Sequence, residues 1–170
     1  MSEHLSVSQK AFITNSRWQV LLVKNPLSDP SHIIWDLPGS DLNFSQSLRD
    51  NLVQTVLKET GLTITTVSIP LNVTTYLDLA NRQNQVVRII YLCLAQGSPV
   101  QSKEMLWIDP AQFLHYPFPD EGYAKAFKNY LAHSRLASEE FLDRGILEHT
   151  TDYLRQKPPA PPFSPSIPLP

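Results

Sequence analysis

The fold of this 170-residue chain is decided by residues 35–62, which read W-D-L-P-G-S-D-L-N-F-S-Q-S-L-R-D-N-L-V-Q-T-V-L-K-E-T-G-L. The order of residue types predicts the end of a strand, a tight Pro-Gly loop and then a helix. Apolar residues recur there at helical spacing, which indicates that one face of the helix is buried. These residues are Leu48, Leu52, Val53, Val56 and Leu57.

Both ends of this helix carry capping signals. Ser47 is placed to cap the start, with Asp50 three residues later as a capping-box acid. Gly61 is expected at the C-terminal cap, where the backbone needs a positive φ. A Pro-Gly loop that feeds a helix is a usual place for chemistry, yet the polar face of the helix is poor in carboxylates. That face consists of Gln54, Thr55, Lys58 and Glu59.

Composition narrows the class of protein. The length suits one well-cored domain, and 42% hydrophobic residues permit a packed core. The formal net charge of −2 gives no field that attracts nucleic acid. The single cysteine, Cys93, excludes an internal disulfide. With no signal-peptide pattern and no apolar run of about 18 residues, we expect a soluble cytoplasmic protein that binds neither nucleic acid nor membrane.

The rest of the chain predicts strands followed by helices. The most apolar strand, 86–95, is expected at the centre of the sheet. Pro70 is expected to end a strand, and the first two strands are expected to form a hairpin. The pattern predicts a mixed α+β or α/β sandwich, a sheet covered by helices. The predicted strands are 7–14, 18–24, 33–37, 62–69, 73–79, 86–95 and 104–108, and the predicted helical segments near the end are 111–114 and 121–135.

The last part of the chain changes character. We predict a main domain over residues 1–135 and a helical extension over 136–156, with Ser138 as a helix cap. Residues 157–170 read K-P-P-A-P-P-F-S-P-S-I-P-L-P, which predicts a proline-rich, extended tail. Its repeated P-x-x-P spacing suits SH3-like protein partners, and a disordered terminus is the alternative.

Residues 35–62 resemble the box of Nudix hydrolases: a glycine, five residues, a glutamate, seven residues, then Arg-Glu-apolar-x-Glu-Glu-x-Gly-apolar. The segment W-D-L-P-G before the box is also similar, as are residues 11–24, 104–113 and 118–127, so the resemblance covers roughly residues 6–135. With Gly61 aligned, the spacings hold without a gap but most of the box residues differ. Ser40 stands at the box glycine, Gln46 at the first glutamate, Gln54 at the arginine, Thr55 at the next glutamate, Lys58 and Glu59 at the paired glutamates.

The resemblance implies a Nudix-like mixed sheet flanked by helices, and hydrolysis of a nucleoside diphosphate linked to another group. Such enzymes hold Mg²⁺ or Mn²⁺ through the box glutamates, and the metal activates water. Here Glu59 is the only carboxylate among positions 55, 58 and 59. Lys58 would repel a cation, so we expect the family's metal-dependent hydrolysis to be impaired or lost.

Several residues are candidates for a site, each with a plainer alternative. Glu59 is a candidate metal ligand or general base. The alternative is a solvated acid at the end of the helix. Lys58 is a candidate for contact with a ligand phosphate. The alternative is an ordinary surface lysine. Glu104 is a candidate metal ligand that lies after the box in the sequence. The alternative is an ordinary surface carboxylate. Gly39 and Ser40 complete the candidate ligand site in the loop.

Aromatic residues could stack on a base, although core packing is the alternative for the tryptophans.

The first hypothesis is a Nudix-fold protein that binds a nucleotide-like ligand or a protein partner without hydrolysis. The alternative is a divergent Nudix hydrolase that cleaves a nucleoside diphosphate-linked substrate through acids outside the box. A third is an interaction protein acting through its C-terminal part. The aromatic candidates are Trp35, Tyr76 and Trp107, and the pool of acids is Asp36, Asp41, Glu59, Glu104 and Asp120.

Overall fold

The computed structural model describes residues 4–78, 84–100 and 104–143. In chain order they form six strands and two α-helices, with one 3-10 helix before the last element. The strands are β1 (His4–Ile13), β2 (Val20–Lys24), β3 (Trp35–Asp36), β4 (Thr63–Leu77), β5 (Asn84–Gln96) and β6 (Met105–Ile108). The helices are α1 (Leu48–Thr60), the 3-10 helix (Pro110–His115) and α2 (Gly122–Asp143).

The strands form two three-stranded sheets. In the first, the order is β1-β5-β4, with β1 parallel and β4 antiparallel to β5. In the second, β2 lies between β3 and β6 and is antiparallel to both. The central place predicted for the apolar strand β5 is therefore confirmed.

The residues after β3 run along the second edge of β1. The N–H of Ala11 donates to the carbonyl of Pro38 at 2.8 Å, and the N–H of Gln9 donates to that of Ser40 at 2.9 Å. A Cβ added to Gly39 would lie 2.1 Å from the carbonyl oxygen of Gln9, and φ there is +141°. Only glycine fits this close approach, so the Pro-Gly loop is held directly against β1.

Alternating residues on the strands supply two hydrophobic cores. One core lies under α2 and includes Phe12, Leu22 and Leu92. The other lies under α1 and includes their neighbours Ile13, Leu21 and Cys93. Helices thus cover both faces of the strands, and the prediction of an α/β sandwich with mixed strands is confirmed.

Helix α1 begins and ends where predicted. The hydroxyl of Ser47 accepts the N–H of Asp50 at 3.0 Å, and Gly61 adopts φ +77° with its N–H bonded to Leu57. The predicted apolar face is only partly right, because Leu48 and Leu57 are exposed. Asn51 and Thr60 are buried instead, with their polar atoms hydrogen-bonded.

The predicted hairpin of the first two strands is wrong. A single bridge joins Thr14 to Val20, and the strands then enter different sheets. The reason is that both edges of β1 are occupied, one by β5 and the other by residues 38–42. No edge of β1 remains to pair with β2.

The prediction that Pro70 ends a strand is also wrong. Strand β4 runs through Pro70 without a break, with register shifts against β5 between Val67 and Pro70 and between Pro70 and Asn72. Because β4 is the outer strand of its three-stranded sheet, the missing N–H of proline is tolerated at these irregularities.

Helix α2 changes the prediction for the C-terminal part. It continues past Ser138 to Asp143, so no separate helix begins at Ser138. It also crosses the boundary predicted at residue 135. The remaining divisions at 136–156 and 157–170 stay predictions, since residues 144–170 lie outside the described residues. None of the described helices is both long and apolar enough to cross a membrane.

Candidate functional site

The Pro-Gly loop and the last turn of α1 meet at Glu59. The N–H of Gly39 donates to a carboxylate oxygen of Glu59 at 2.9 Å. Burial of that carboxylate raises the pKa of Glu59, and the charge of Asp36 adds to this. The hydrogen bond from Gly39 and the charge of Lys10 oppose the rise but do not cancel it. The pKa of Glu59 therefore lies above its ordinary value, although the residue as a whole is exposed.

Two neutral contacts join the same loop to the same helix face. The hydroxyls of Ser40 and Thr55 lie 2.9 Å apart, and the amide of Gln46 donates to that of Gln54 at 3.0 Å. Side chains on the polar face of α1 are thus hydrogen-bonded to the loop that precedes it. We call this set of contacts the loop-helix latch: Gly39 with Glu59, Ser40 with Thr55, Gln46 with Gln54.

The donor set of the latch does not fit Mg²⁺ or Mn²⁺. Hard cations need several oxygen ligands, preferably carboxylates, and the latch offers one carboxylate, Glu59. Thr55 and Gln54 already make hydrogen bonds within it, and the exposed Lys58 adds a positive charge on the same turn. Within the described part of the chain, no group of three His, Cys, Asp or Glu residues could hold a metal ion.

A buried carboxylate, Asp36, lies beside the latch and is fully hydrogen-bonded. It is 5% exposed and pairs with the ammonium of Lys10 at 2.8 Å. It also accepts the hydroxyl of Tyr123 at 2.6 Å and the amide of Asn25 at 3.2 Å. Lys10 donates further to the carbonyl of Gly39 at 3.3 Å. This network therefore connects the start of α2 to the Pro-Gly loop.

A second ion pair, buried at Arg88 and one-third exposed at Asp120, lies across Tyr123 from the first. Arg88 is 4% exposed and bonds to the carboxylate of Asp120 at 2.5 Å. Its guanidinium carbon lies 4.4 Å from the ring centroid of Tyr76 and 4.9 Å from that of Tyr123. Burial alone would lower the pKa of Arg88, but Tyr123 and Asp120 raise it above its ordinary value. Arg88 is thus held as a cation between two aromatic rings.

The two ion pairs line one cleft of about 640 Å³. That volume is in the range of pockets that bind small molecules. The cleft lies at the N-terminal part of β1 and β5 and the end of β4, beside the segment that leads into α2. Its lining residues are Ser8, Lys10, Asn25, Leu27, Asp36, Asp41, Tyr76, Leu77, Asp78, Asn84, Val86, Arg88, Pro119 and Asp120.

The predicted site residues fall into separate places. Gly39, Ser40 and Glu59 come together in the latch, whereas Lys58 is exposed on the helix beside it. Glu104 lies before β6, where its carbonyl oxygen accepts the N–H of Lys24 at 2.7 Å. These residues do not line the cleft. Three acids from the predicted pool line it instead, together with Tyr76: Asp36, Asp41 and Asp120.

The two tryptophans proposed as stacking residues pack against the cores. Trp35 contacts Tyr116 edge-to-face with ring centroids 6.1 Å apart, and it packs on the core under α2. Trp107 packs on the core under α1. Of the three aromatic candidates, Tyr76 is the one whose ring lies in the cleft.

Four residues of the two ion-pair networks were missed by sequence reasoning: Lys10, Asn25, Arg88 and Tyr123. Two of them carry a signal, because a charged residue inside an apolar strand must be paired when it is buried. Arg88 interrupts such a strand, and Lys10 directly precedes the apolar run 11–13 of β1. Tyr123 carries none, since it is simply one apolar-face residue of a helix.

Comparisons with known proteins were made on sequence and on structure. No family model and no curated relative matches the sequence. Among solved structures, the Escherichia coli ORF135 protein has a TM-score of 0.64 at 17% identity, covering 76% of this chain and 91% of its own. A MutT protein from Methanosarcina mazei has 0.60 at 21%, covering 75% and 94%. A MutT NUDIX hydrolase from Burkholderia pseudomallei has 0.58 at 20%, covering 73% and 97%.

Proposed function

We propose that this chain, which has the Nudix fold, binds a nucleotide-like ligand in the 640 Å³ cleft and lacks the family's metal-dependent pyrophosphate hydrolysis. The observation that carries the proposal is the loop-helix latch. It occupies the helix face that would hold metal, and it does so with one carboxylate and two neutral contacts. Binding and hydrolysis are thus separable here, because the latch and the cleft are formed by different residues.

The rigidity of the cleft supports the binding half of the proposal. Asp36 has four hydrogen-bond donors directed at it, and Arg88 is fixed by Asp120 and two rings. Side chains held in this way lose little freedom when a ligand binds, which favours affinity. Tyr76 adds an aromatic surface suited to a planar ring.

A thermal-shift experiment tests the binding half. Nucleosides and nucleotides are added to the full chain in buffer with a chelator, and a rise in Tm is expected because a ligand that binds only the native state stabilises it. The variant Arg88→Met removes one of the two cations that line the cleft and should abolish the shift, with Lys125→Met as an exposed control. If no member of the panel raises Tm, the binding proposal is wrong.

A turnover assay tests the other half. Nucleotide sugars, dinucleotides and ADP-ribose are incubated with Mg²⁺ or Mn²⁺, and the products are separated by chromatography. We expect no metal-dependent turnover. Turnover that disappears in Glu59→Gln would refute the loss of hydrolysis.

The divergent hydrolase remains the second candidate because of one observation. The pKa of Glu59 is raised by burial and by the nearby Asp36, which makes its carboxylate a stronger base than an ordinary one. On this alternative, turnover requires Glu59 and Asp36 together, so Asp36→Asn and Glu59→Gln would each abolish it. The first candidate function predicts no hydrolysis, whether or not these two residues are present.

A protein partner is a further proposal for residues 157–170, which lie outside the described residues. The P-x-x-P spacing of this segment is its support. In a pull-down, deletion of residues 157–170 should remove a partner that the full chain captures, and unchanged partners would count against the proposal.

A further inference from the structure

We infer that two copies of this chain associate through the part of the first sheet that α1 leaves uncovered. Helix α1 and strand β5 have 13 residues each, so the helix is about 20 Å long and the strand about 44 Å. The helix therefore covers only the part of this face that includes Ile13 and Cys93. We call the uncovered part the open sheet face, and it consists of Leu5, Val7, Val73, Thr75, Val87 and Ile89.

The open sheet face is continuous across three strands. Val87 is in register with Val7 on one side and with Thr75 on the other, and Ile89 is in register with Val73. The alternation of side chains along each strand places these residues on the side of α1, opposite to the cleft. Two chains joined through this face therefore keep both clefts accessible.

This face is apolar where a solvated sheet face is normally polar. Leu5 is 69% exposed and Val73 is 57% exposed, and the other three aliphatic residues of the face are half-buried. The sixth residue, Thr75, is exposed and uncharged. A sheet with one face in water usually alternates apolar residues inward with polar residues outward. A contiguous apolar patch on the outside instead marks an interaction surface.

The absence of charge suits a second copy of the same chain as the partner. A two-fold interface sets one patch against itself, so any charged group near its centre approaches the same charge on the other copy. None of the six residues is charged, and two copies meet without such repulsion. Aliphatic side chains on a pleated surface are also those that interdigitate when two sheets stack about 10 Å apart.

A two-fold arrangement keeps the helices apart as well. When the axis lies between the two sheets and perpendicular to their strands, the two copies of α1 stand at opposite ends of the interface. Leu48 is 43% exposed and lies one turn before the buried Leu52 on the same stripe of α1. Phe44, in the loop before α1, is fully exposed. Both residues therefore flank the ends of the partner's strands.

The C-terminal helix of the chain leads away from this face. Gly122, at the start of α2, lies against Thr74, and further along the helix the ring of Tyr130 lies 4.7 Å from that of Phe12. Helix α2 thus runs on the opposite side of the sheet, toward the other end of β1, and continues to Asp143. This direction favours a second molecule over the chain's own end as the partner.

Sedimentation velocity of the full chain tests the inference. A standard interface buries about 800 Å² per partner, and the open sheet face with its two flanking residues is smaller, so we expect a weak dimer. Between about 1 μM and 1 mM the measured mass should rise from that of one chain to that of two. Raising the ionic strength from about 0.1 M to 1 M should not weaken the dimer, because no charge is paired in it.

Two variants from different strands check the surface. Leu5→Lys and Thr75→Lys each place an ammonium at an exposed position of the open sheet face, and each should raise the dissociation constant of the dimer at least about tenfold. Leu114→Lys and Thr63→Lys are the matched controls, since they replace exposed residues of the same types outside this face. Circular dichroism and Tm establish that all four variants are folded.

Three results would overturn the inference. A chain that remains monomeric at the highest concentration leaves the face to a different partner. A dimer that persists in Leu5→Lys or in Thr75→Lys, or that the controls weaken equally, is formed by another surface. A dimer that dissociates at high salt is held by charges that the open sheet face does not have.

Discussion

At the residue scale, the hydroxyl of Tyr123 joins the helix α2 to the buried Asp36. The bond is 2.6 Å long, and Tyr123 is fully buried. Removing it in Tyr123→Phe leaves Asp36 short of one donor, and hydrogen bonds to charged groups contribute about 1.5–3 kcal/mol. We expect the free energy of unfolding, measured by urea denaturation, to fall by that amount. Tyr116→Phe is the control, with a change below about 0.5 kcal/mol; equal losses would contradict the role of Asp36.

Glu59 makes stability depend on pH in a particular direction. Its pKa is raised above the ordinary value of 4.5 in the folded protein, so the native state binds the proton more tightly than the unfolded state does. The stability that this contributes is fully present below about pH 4.5 and is lost as pH rises through the folded pKa.

The matching variant is Glu59→Gln, which keeps an oxygen to accept the N–H of Gly39. Unfolding free energies of the two proteins are measured from about pH 4 to pH 8. We expect the free energy of unfolding of the wild type to fall relative to that of the variant as pH rises. A difference that grows in favour of wild type toward neutral pH would mean that the ionised carboxylate is the stabilised form.

At the element scale, the loop before α1 depends on a glycine. A Cβ at Gly39 would lie 2.1 Å from the backbone oxygen of Gln9 at φ +141°. Gly39→Ala must therefore displace β1 or the loop, and we expect a loss above about 3 kcal/mol in the free energy of unfolding. Gly97→Ala is the control, because φ there is +102° but the nearest contact is 3.7 Å away. It should cost about 1–2 kcal/mol; a similar loss in both variants would show that backbone strain alone matters.

The helix α1 shows how far local sequence signals reach. Ser47, Gly61 and the inward Leu52 and Val56 were predictable, because caps and apolar spacing act within a few residues. The burial of Asn51 was not, since it depends on Gln9, which is distant in sequence and 2.9 Å away in space. Long-range polar pairs of this kind leave no local pattern.

The strands show the same limit. The central β5 was predictable from its apolar run, but the partner of β1 was not. A turn at residues 15–17 favours a hairpin, and only the tertiary contact of residues 38–42 with β1 prevents it. Pro70 likewise reads as a strand end, although the outer position of β4 tolerates it.

At the scale of the whole molecule, the 640 Å³ cleft and the loop-helix latch are close but separate. The cleft is formed by β1, β4, β5 and the segment before α2, whereas the latch is formed by the loop and α1. Only part of the candidate site could therefore be predicted from the sequence. Gly39, Ser40 and Glu59 come from a local motif, while Lys10, Arg88 and Tyr123 meet only in the folded chain.

Because the latch and the cleft share no residue, carboxylates can be added to the polar face of α1 without changing the cleft. The double variant Thr55→Glu with Lys58→Glu adds two carboxylates beside Glu59 and removes one positive charge, which supplies the oxygen ligands that a hard cation needs. We expect the thermal shift produced by a nucleoside to be the same in the variant and in the wild type. A lost shift would mean that the latch and the cleft are coupled.

Calorimetric titration of Mn²⁺ into the wild type and into this double variant tests the central claim most directly. We expect no saturable binding to the wild type at millimolar Mn²⁺, and saturable binding to the variant. Saturable binding to the wild type that is lost in Glu59→Gln would contradict the claim that this face of the Nudix fold no longer holds a metal.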